Sequence, residues 1–346
     1  MQQIKKNALL LIVWVAAFSV YGQIQIGEVK GIPGEKVRTF LVPAEDVDGT
    51  PLKLPIVIVT GNRPGPVVWI QALTHGDEYG GAVSIQKIVA TLNPSEMSGT
   101  VVALMVANPA AFQALQRVNP NLDDRDDLGR VFPGAEKFAT QRVAAVITRT
   151  IHEIHADYFI DLHTGGDRFR QLPFILYTPG GSVSSLPYDS LARNFGVPYL
   201  WRDVSHTFAG GPTTVMSEMG IPSFLVEIGG GQPLDSKDID LQTSAVFSFL
   251  RGAGVLNGSP ARLKSFTVFS GYKVVTNARG GFFNPKVNPG DRLHSGDLVG
   301  TITNIYGEVV EQLKSPADAL VVGISTYPAW STGAWLMELG TEFVNK

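Results

Sequence analysis

Residues 65–81 read GPVVWIQALTHGDEYGG, and their chemistry changes twice. Residues 67–73 are an apolar run interrupted only by Gln71, with the Val, Ile and Trp content of a strand buried on both faces. Residues 74–78 are short and polar. Over residues 82–92 apolar side chains recur at three- and four-residue spacing, which predicts a helix. A buried strand, a tight polar turn and a helix make a βα unit. His75 and Glu78 fall in the turn, beyond the carboxyl end of the strand, where open α/β sheets bind their ligands.

The same alternation runs on either side of that unit. Buried-strand patterns occur at residues 55–59, 101–106, 158–162, 174–177 and 224–228, and helical spacing at 140–155, 186–195 and 239–250. They predict an α/β fold: a mixed, mostly parallel sheet with helices on both faces. Gly252-Ala253-Gly254 and Asn257-Gly258-Ser259-Pro260 break the pattern. Beyond them, short strand-like runs at 265–275, 281–283, 297–303 and 319–325 alternate with turn sequences such as Asn288-Pro289-Gly290-Asp291. The expected organisation is a signal segment over residues 1–22, an α/β domain over 23–258 and a smaller C-terminal all-β domain over 259–346.

Composition narrows the function. With 346 residues, 44% of them hydrophobic and 17% charged, the chain can bury a sizeable core. A formal net charge of -3 and the lack of a basic stripe argue against nucleic acid as a partner and leave small molecules. There is no cysteine, which excludes disulfides, thiolate metal ligands and thiol nucleophiles, so any metal must be held by His and carboxylate. Lys5 and Lys6 precede an apolar run over residues 8–18 and then Ser19-Val20-Tyr21-Gly22, the layout of a secretory signal. The run is shorter than the ~20 residues that cross a bilayer as a helix, so cleavage rather than anchoring is expected. The mature chain then starts near Gln23 in the periplasm or outside the cell, without stable membrane insertion.

Three strand ends carry the chemistry. His75 and Glu78 are offset by three residues and can face one cation. Asp161-Leu162-His163-Thr164-Gly165-Gly166 places a second histidine at the end of another apolar strand. Each motif alone is weak; together they supply His, Glu and His, a three-ligand set that leaves a fourth position for water in catalytic zinc sites. Asp161, Asp77 or a backbone carbonyl is expected to fix an imidazole tautomer. In Phe224-Leu225-Val226-Glu227-Ile228, a carboxylate between two apolar neighbours is partly desolvated, which suits it to take a proton from water. The polar segment 108–134, NPAAFQALQRVNPNLDDRDDLGRVFPG, contains Arg117, Arg125 and Arg130, whose forked donors match a substrate carboxylate. Surface pairing with Asp123, Asp124, Asp126 and Asp127 is the competing reading, and it is favoured for Arg125. No G-x-S-x-G elbow occurs, and Gly229-Gly230-Gly231 lacks dinucleotide-loop spacing.

In combination and in this order, GPVVWIQALTHGDEYGG, the segment from Asn108 through Phe132-Pro133-Gly134, DLHTGG and VEIGGG resemble the succinylglutamate desuccinylase/aspartoacylase family of zinc hydrolases, relatives of the zinc carboxypeptidases. The β-rich tail is similar to that family's C-terminal domain. The resemblance implies one zinc per chain held by His75, Glu78 and His163. It also implies Glu227 as general base and acid, and Arg130 and Arg117 as contacts for a substrate carboxylate. The expected activity is hydrolysis of an amide or ester of a small acyl-amino-acid-like or peptide substrate. The rival expectations are an exported carboxypeptidase-like peptidase and a zinc-containing binding module without turnover. One position departs from the family's pattern: Asp-Leu-Asn-Arg is replaced by Asp127-Leu128-Gly129-Arg130. The lost amide contact is worth on the order of 1 kcal/mol and bears on substrate choice rather than on metal chemistry.

Overall fold

A computed structural model of the chain describes residues 24–180 and 187–344. The signal-like residues 1–22 lie outside that range. Among the described residues no helix is long and apolar enough to cross a membrane.

Twelve strands form one sheet. Its centre is parallel: Arg63–Ala72 lies between Ser98–Leu104 and Tyr158–His163, and Tyr158–His163 is followed by Ser223–Gly229. Next comes Phe169–Tyr177, antiparallel to Ser223–Gly229 and parallel to Tyr199–Arg202. The flanks are antiparallel. Lys36–Glu45 and Pro51–Thr60 extend one side, and Trp335–Val344 and Ala319–Ser325 the other. The sheet is mixed, as expected, but parallel pairs do not predominate in it. Lys36–Glu45 and Pro51–Thr60 are joined by a short turn, and strands so joined can pair only antiparallel, whereas a parallel neighbour needs a crossover.

Alternation along the central strands builds a core on each face. Val68, Ile70, Leu162, Phe224 and Val226 pack with residues of the helices Tyr79–Thr91 and Ser236–Gly252. Trp69, Phe159 and Val102, which point the other way, pack with Ala139–Glu153 and Pro212–Glu218. Each fully buried aliphatic side chain of this kind contributes about 1.5–3 kcal/mol. The Tyr79–Thr91 helix begins three residues before its apolar spacing because Gly80 and Gly81 belong to it. A Cβ on Gly81 would stand 2.6 Å from the Leu162 carbonyl oxygen, so the helix reaches the central strand only without a side chain there.

The sheet continues past residue 259. Thr267–Thr276 pairs in parallel with Tyr199–Arg202, and Trp335–Val344 pairs with Thr267–Thr276. The C-terminal region also has its own four-stranded sheet, Val309–Lys314, Leu298–Thr303, Gly281–Pro285 and Ala329–Trp330. A separate core of Phe283, Val299, Ile302, Leu313 and Leu336 accompanies it. The C-terminal strands thus extend one flank of the sheet, and Trp330, Trp335 and Glu338 from them wall one side of the cavity described next.

Candidate metal centre

Three parallel strands end side by side. Register sets Val226 opposite Leu162 and Glu227 opposite His163, so Glu227 and His163 share one face of the sheet, away from the core that takes Leu162 and Val226. His75 lies just past the end of Arg63–Ala72, after Leu73 at a φ of 58°. Glu78 is the residue before the Tyr79–Thr91 helix, and its carboxylate makes no cap.

One donor atom each from His75, Glu78 and His163 lies within 4.8 Å of the others, and all three residues are buried. Nδ1 of His75 is 2.6 Å from Glu78 Oε1, and Nδ1 of His163 is 2.8 Å from Glu78 Oε2. Two imidazoles and one carboxylate converging through single atoms fit zinc in donor type and number. The outer nitrogens are held in turn: His163 Nε2 is 2.9 Å from Asp161 Oδ2, and His75 Nε2 is 3.0 Å from Asp127 Oδ1. Asp161 also accepts from the Thr74 hydroxyl at 3.0 Å, and that hydroxyl accepts from Gln71 Nε2 at 3.1 Å. Carboxylate support of this kind fixes the ring and leaves Nδ1 for a metal.

The electrostatics follow from burial and proximity. Burial alone would raise the Glu78 carboxyl, yet the adjoining His75 and His163 rings hold it well below the usual carboxylate range. Burial opposes the charged form of Asp127 as well, and His75 and Arg117 outweigh it to hold that carboxyl low. Burial also disfavours a charged His163, but Asp161 and Glu78 push its pKa up. Asp77 differs: burial, reinforced by Glu78, raises it to about 6. Glu227 is raised well above the carboxylate range by burial and then by Glu78. Its Oε1 is buried without a hydrogen-bond partner.

These groups open on a cavity of about 570 Å³. The expected metal ligands and base, His75, Glu78, His163 and Glu227, line it together with Arg117 and Arg130, whereas Arg125 does not. Arg117 bridges Glu78 and Asp127 at 3.4 Å each. The Arg130 guanidinium donates to the Gly129 carbonyl at 2.7 Å and lies 4.5 Å over the Phe208 ring. Asp127 accepts from the Gly129 amide at 2.8 Å, and a Cβ at position 129 would stand 2.9 Å from His75 Nε2. The glycine that departs from the family pattern is packed directly against the Asp127–His75 contact. Of the candidate tautomer-fixing groups, Asp161 takes that role for His163. Asp77 lines the cavity instead, with Oδ1 unpartnered.

Three cavity residues escaped the sequence reading in this role. Asp127 reads as one more acid in an ion-paired loop. Arg168 follows the DLHTGG motif by two residues. Glu338 lies on Trp335–Val344 between Met337 and Leu339, the same carboxylate-between-apolar-neighbours signal that marks Glu227.

The succinylglutamate desuccinylase/aspartoacylase catalytic domain is matched over residues 64–253, more than half of the chain. The N-alpha-acetyl-L-2,4-diaminobutyric acid deacetylase of Halomonas elongata is 26% identical over 207 residues, a match that spans 59% of this chain and 59% of that relative. In fold, the chain is similar to the product-bound ectoine utilization protein of Ruegeria pomeroyi, with a TM-score of 0.80, 23% identity and coverage of 90% of this chain and 97% of that one. A succinylglutamate desuccinylase from Silicibacter sp. gives the same values: TM-score 0.80, 23% identity, 90% and 97% coverage. The His-Glu-His group sits inside the matched region, and the chain belongs to the succinylglutamate desuccinylase/aspartoacylase family.

Proposed function

We propose that this protein is an exported zinc-dependent deacylase that hydrolyses the amide of a small N-acyl amino acid. His75, Glu78 and His163 hold one zinc ion per chain in this reading. The observation that carries it is the meeting, in one cavity, of a buried three-donor group with a fourth carboxylate, Glu227, whose Oε1 has no partner. When bound, the ion supplies Lewis acidity toward water and toward the acyl carbonyl.

The chain's own side chains do the rest. Glu227, raised by burial, takes a proton from water and returns it to the departing nitrogen. Arg130 offers a forked donor to the substrate carboxylate, and Arg168 lines the same space. Arg117, already tied to Glu78 and Asp127, contributes charge at the rim of the donor group. Phe174, Leu176, Trp201 and Phe208 form an apolar wall that limits water around the reacting bond. The printed activity of the Halomonas relative supports an N-acyl amino acid as substrate. The signal-like residues 1–22 support work outside the cytoplasm.

The test is Glu227→Gln in the zinc-loaded protein, assayed on a panel of N-acyl amino acids. Metal content is expected to stay at one per chain while turnover falls by about 10²–10⁴. Full turnover in the variant removes Glu227 from this role. No turnover by the wild type on any acyl amino acid removes the deacylase reading.

A further inference from the structure

Gln171, Gly323 and Glu338 form a row across three neighbouring strands. Gly323 pairs with Gln171 on one side and with Glu338 on the other. Side chains two strands apart do not normally touch. Here they do, because the strand between them carries no side chain: Gln171 Nε2 donates to Glu338 Oε2 at 2.7 Å. A Cβ on Gly323 would stand 2.3 Å from Gln171 Oε1. The amide is spent on holding the carboxylate, and its Oε1 is left without a donor.

Both residues line the cavity that contains Glu227 and the metal-ligand group. The Tyr272 hydroxyl stands beside the same carboxylate without a well-formed hydrogen bond. Trp335 and Trp330, from the same C-terminal segment, line the cavity too. No lysine or arginine forms a salt bridge with Glu338 among the described residues, although Arg117 contributes at longer range. Glu338 plays no part in the hydrolytic chemistry argued above. A half-buried carboxylate positioned by an amide and short of a cation is costly to keep, and an ammonium group is its natural complement.

We propose that Glu338, positioned by Gln171 across Gly323, forms a cation subsite, so that the substrate class is an N-acyl amino acid whose side chain carries a free amino group. The proposal rests on the deacylase reading and adds a second recognised charge to it. Arg130 and Arg168 face the carboxylate of the substrate and Glu338 faces its ammonium. The aromatic side chains of Trp330 and Trp335 suit a neighbouring cation.

The test uses zinc-loaded full-length protein and two matched pairs, Nα-acetylornithine with Nα-acetylnorvaline and Nα-acetyldiaminobutyrate with Nα-acetylaminobutyrate. Within each pair only the terminal ammonium differs. The wild type is expected to favour the cationic member in kcat/KM by about tenfold or more, mostly through KM. Glu338→Gln is expected to reduce that preference to within about twofold, and Glu338→Asp to restore part of it. Calorimetric binding of free ornithine and norvaline gives a readout independent of turnover, with ornithine bound more tightly only when Glu338 is present. Turnover of both pair members without a cationic preference overturns the subsite and leaves the deacylase reading standing. Ornithine binding that depends on Glu338, without turnover of any acyl substrate, overturns the deacylase reading and leaves the subsite. Absence of both overturns both.

Discussion

Asp127 and His75 are joined 3.0 Å apart through Oδ1 and Nε2, although they lie 52 residues apart in the chain. The same Asp127 oxygen accepts from the Gly129 amide at 2.8 Å, and Oδ2 is 3.4 Å from Arg117. One side chain from the polar segment 108–134 therefore orients a metal-ligand imidazole, shapes the turn beside it and pairs with an arginine. Asp127→Asn keeps the shape but loses the charge that favours a proton on Nε2 and leaves Nδ1 free for the metal. Zinc affinity is expected to fall about 10- to 100-fold, as for other carboxylates behind histidine ligands, while the circular dichroism spectrum stays that of the wild type. Competition with a chromophoric chelator measures it, and unchanged affinity would mean that the ring is oriented by packing alone.

Metal removal has a stability consequence. His75, Glu78 and His163 are buried, with donor atoms within 4.8 Å of one another, and the unfolded chain offers no such group. Binding to the folded state alone stabilises it by about 4 kcal/mol when free zinc is a thousand times its Kd. Chelation is expected to lower Tm, and zinc to restore it in a concentration-dependent way. A Tm indifferent to zinc and chelator would place the ion, if any, outside this group.

The strands that carry the ligands are legible in the sequence because buried parallel strands are short apolar runs, and a polar residue at their carboxyl end stands out. His75, His163 and Glu227 are found that way, and their parallel register then makes them neighbours. Glu338 is harder to find because its strand, Trp335–Val344, is ten residues long and lies far from the motifs in sequence. Its place in the cavity depends on a strand order no local pattern encodes. The antiparallel flanks are hidden in part for the same reason: Asp48-Gly49 is a hairpin-turn pair that joins Lys36–Glu45 to Pro51–Thr60, but no local pattern says which edge of the sheet that hairpin extends. The N-terminal helix boundary is missed at Gly80 and Gly81, where a close approach overrides helix propensity.

Glu338 also makes a prediction about pH. Burial raises its carboxyl above the usual range, against the lowering effect of the Gln171 hydrogen bond and of the neighbouring Tyr272 hydroxyl. The folded protein therefore binds that proton more tightly than the unfolded chain. The resulting stabilisation is complete below the unfolded value of about 4.3 and is lost as pH rises through the folded value. Glu338→Gln keeps a hydrogen-bond acceptor for Gln171 and has no charge to bury. The variant is expected to be at least as stable as the wild type at pH 8, with its advantage shrinking toward pH 4. Denaturant unfolding at the two pH values measures this, and a variant that loses stability at pH 8 would show that the ionised carboxylate is well compensated without a ligand.

Gly81→Ala sets two effects of opposite sign against each other. In an exposed helix interior, alanine in place of glycine gains about 1 kcal/mol. At position 81 the new Cβ would stand 2.6 Å from the Leu162 carbonyl oxygen and 3.2 Å from the Ala72 Cβ. Both neighbours belong to central strands and cannot yield as a flexible side chain does. Overpacking of this kind costs about 1–3 kcal/mol, so the strain outweighs the propensity gain and the variant is expected to be less stable than the wild type. The Tyr79–Thr91 helix, with Glu78 at its start, must then move away from the strand that ends in His163. Zinc affinity should therefore fall together with stability. A variant as stable as the wild type that binds zinc equally well would mean that the helix can slide without moving Glu78, and that the glycine pair is not what sets the distance between Glu78 and His163.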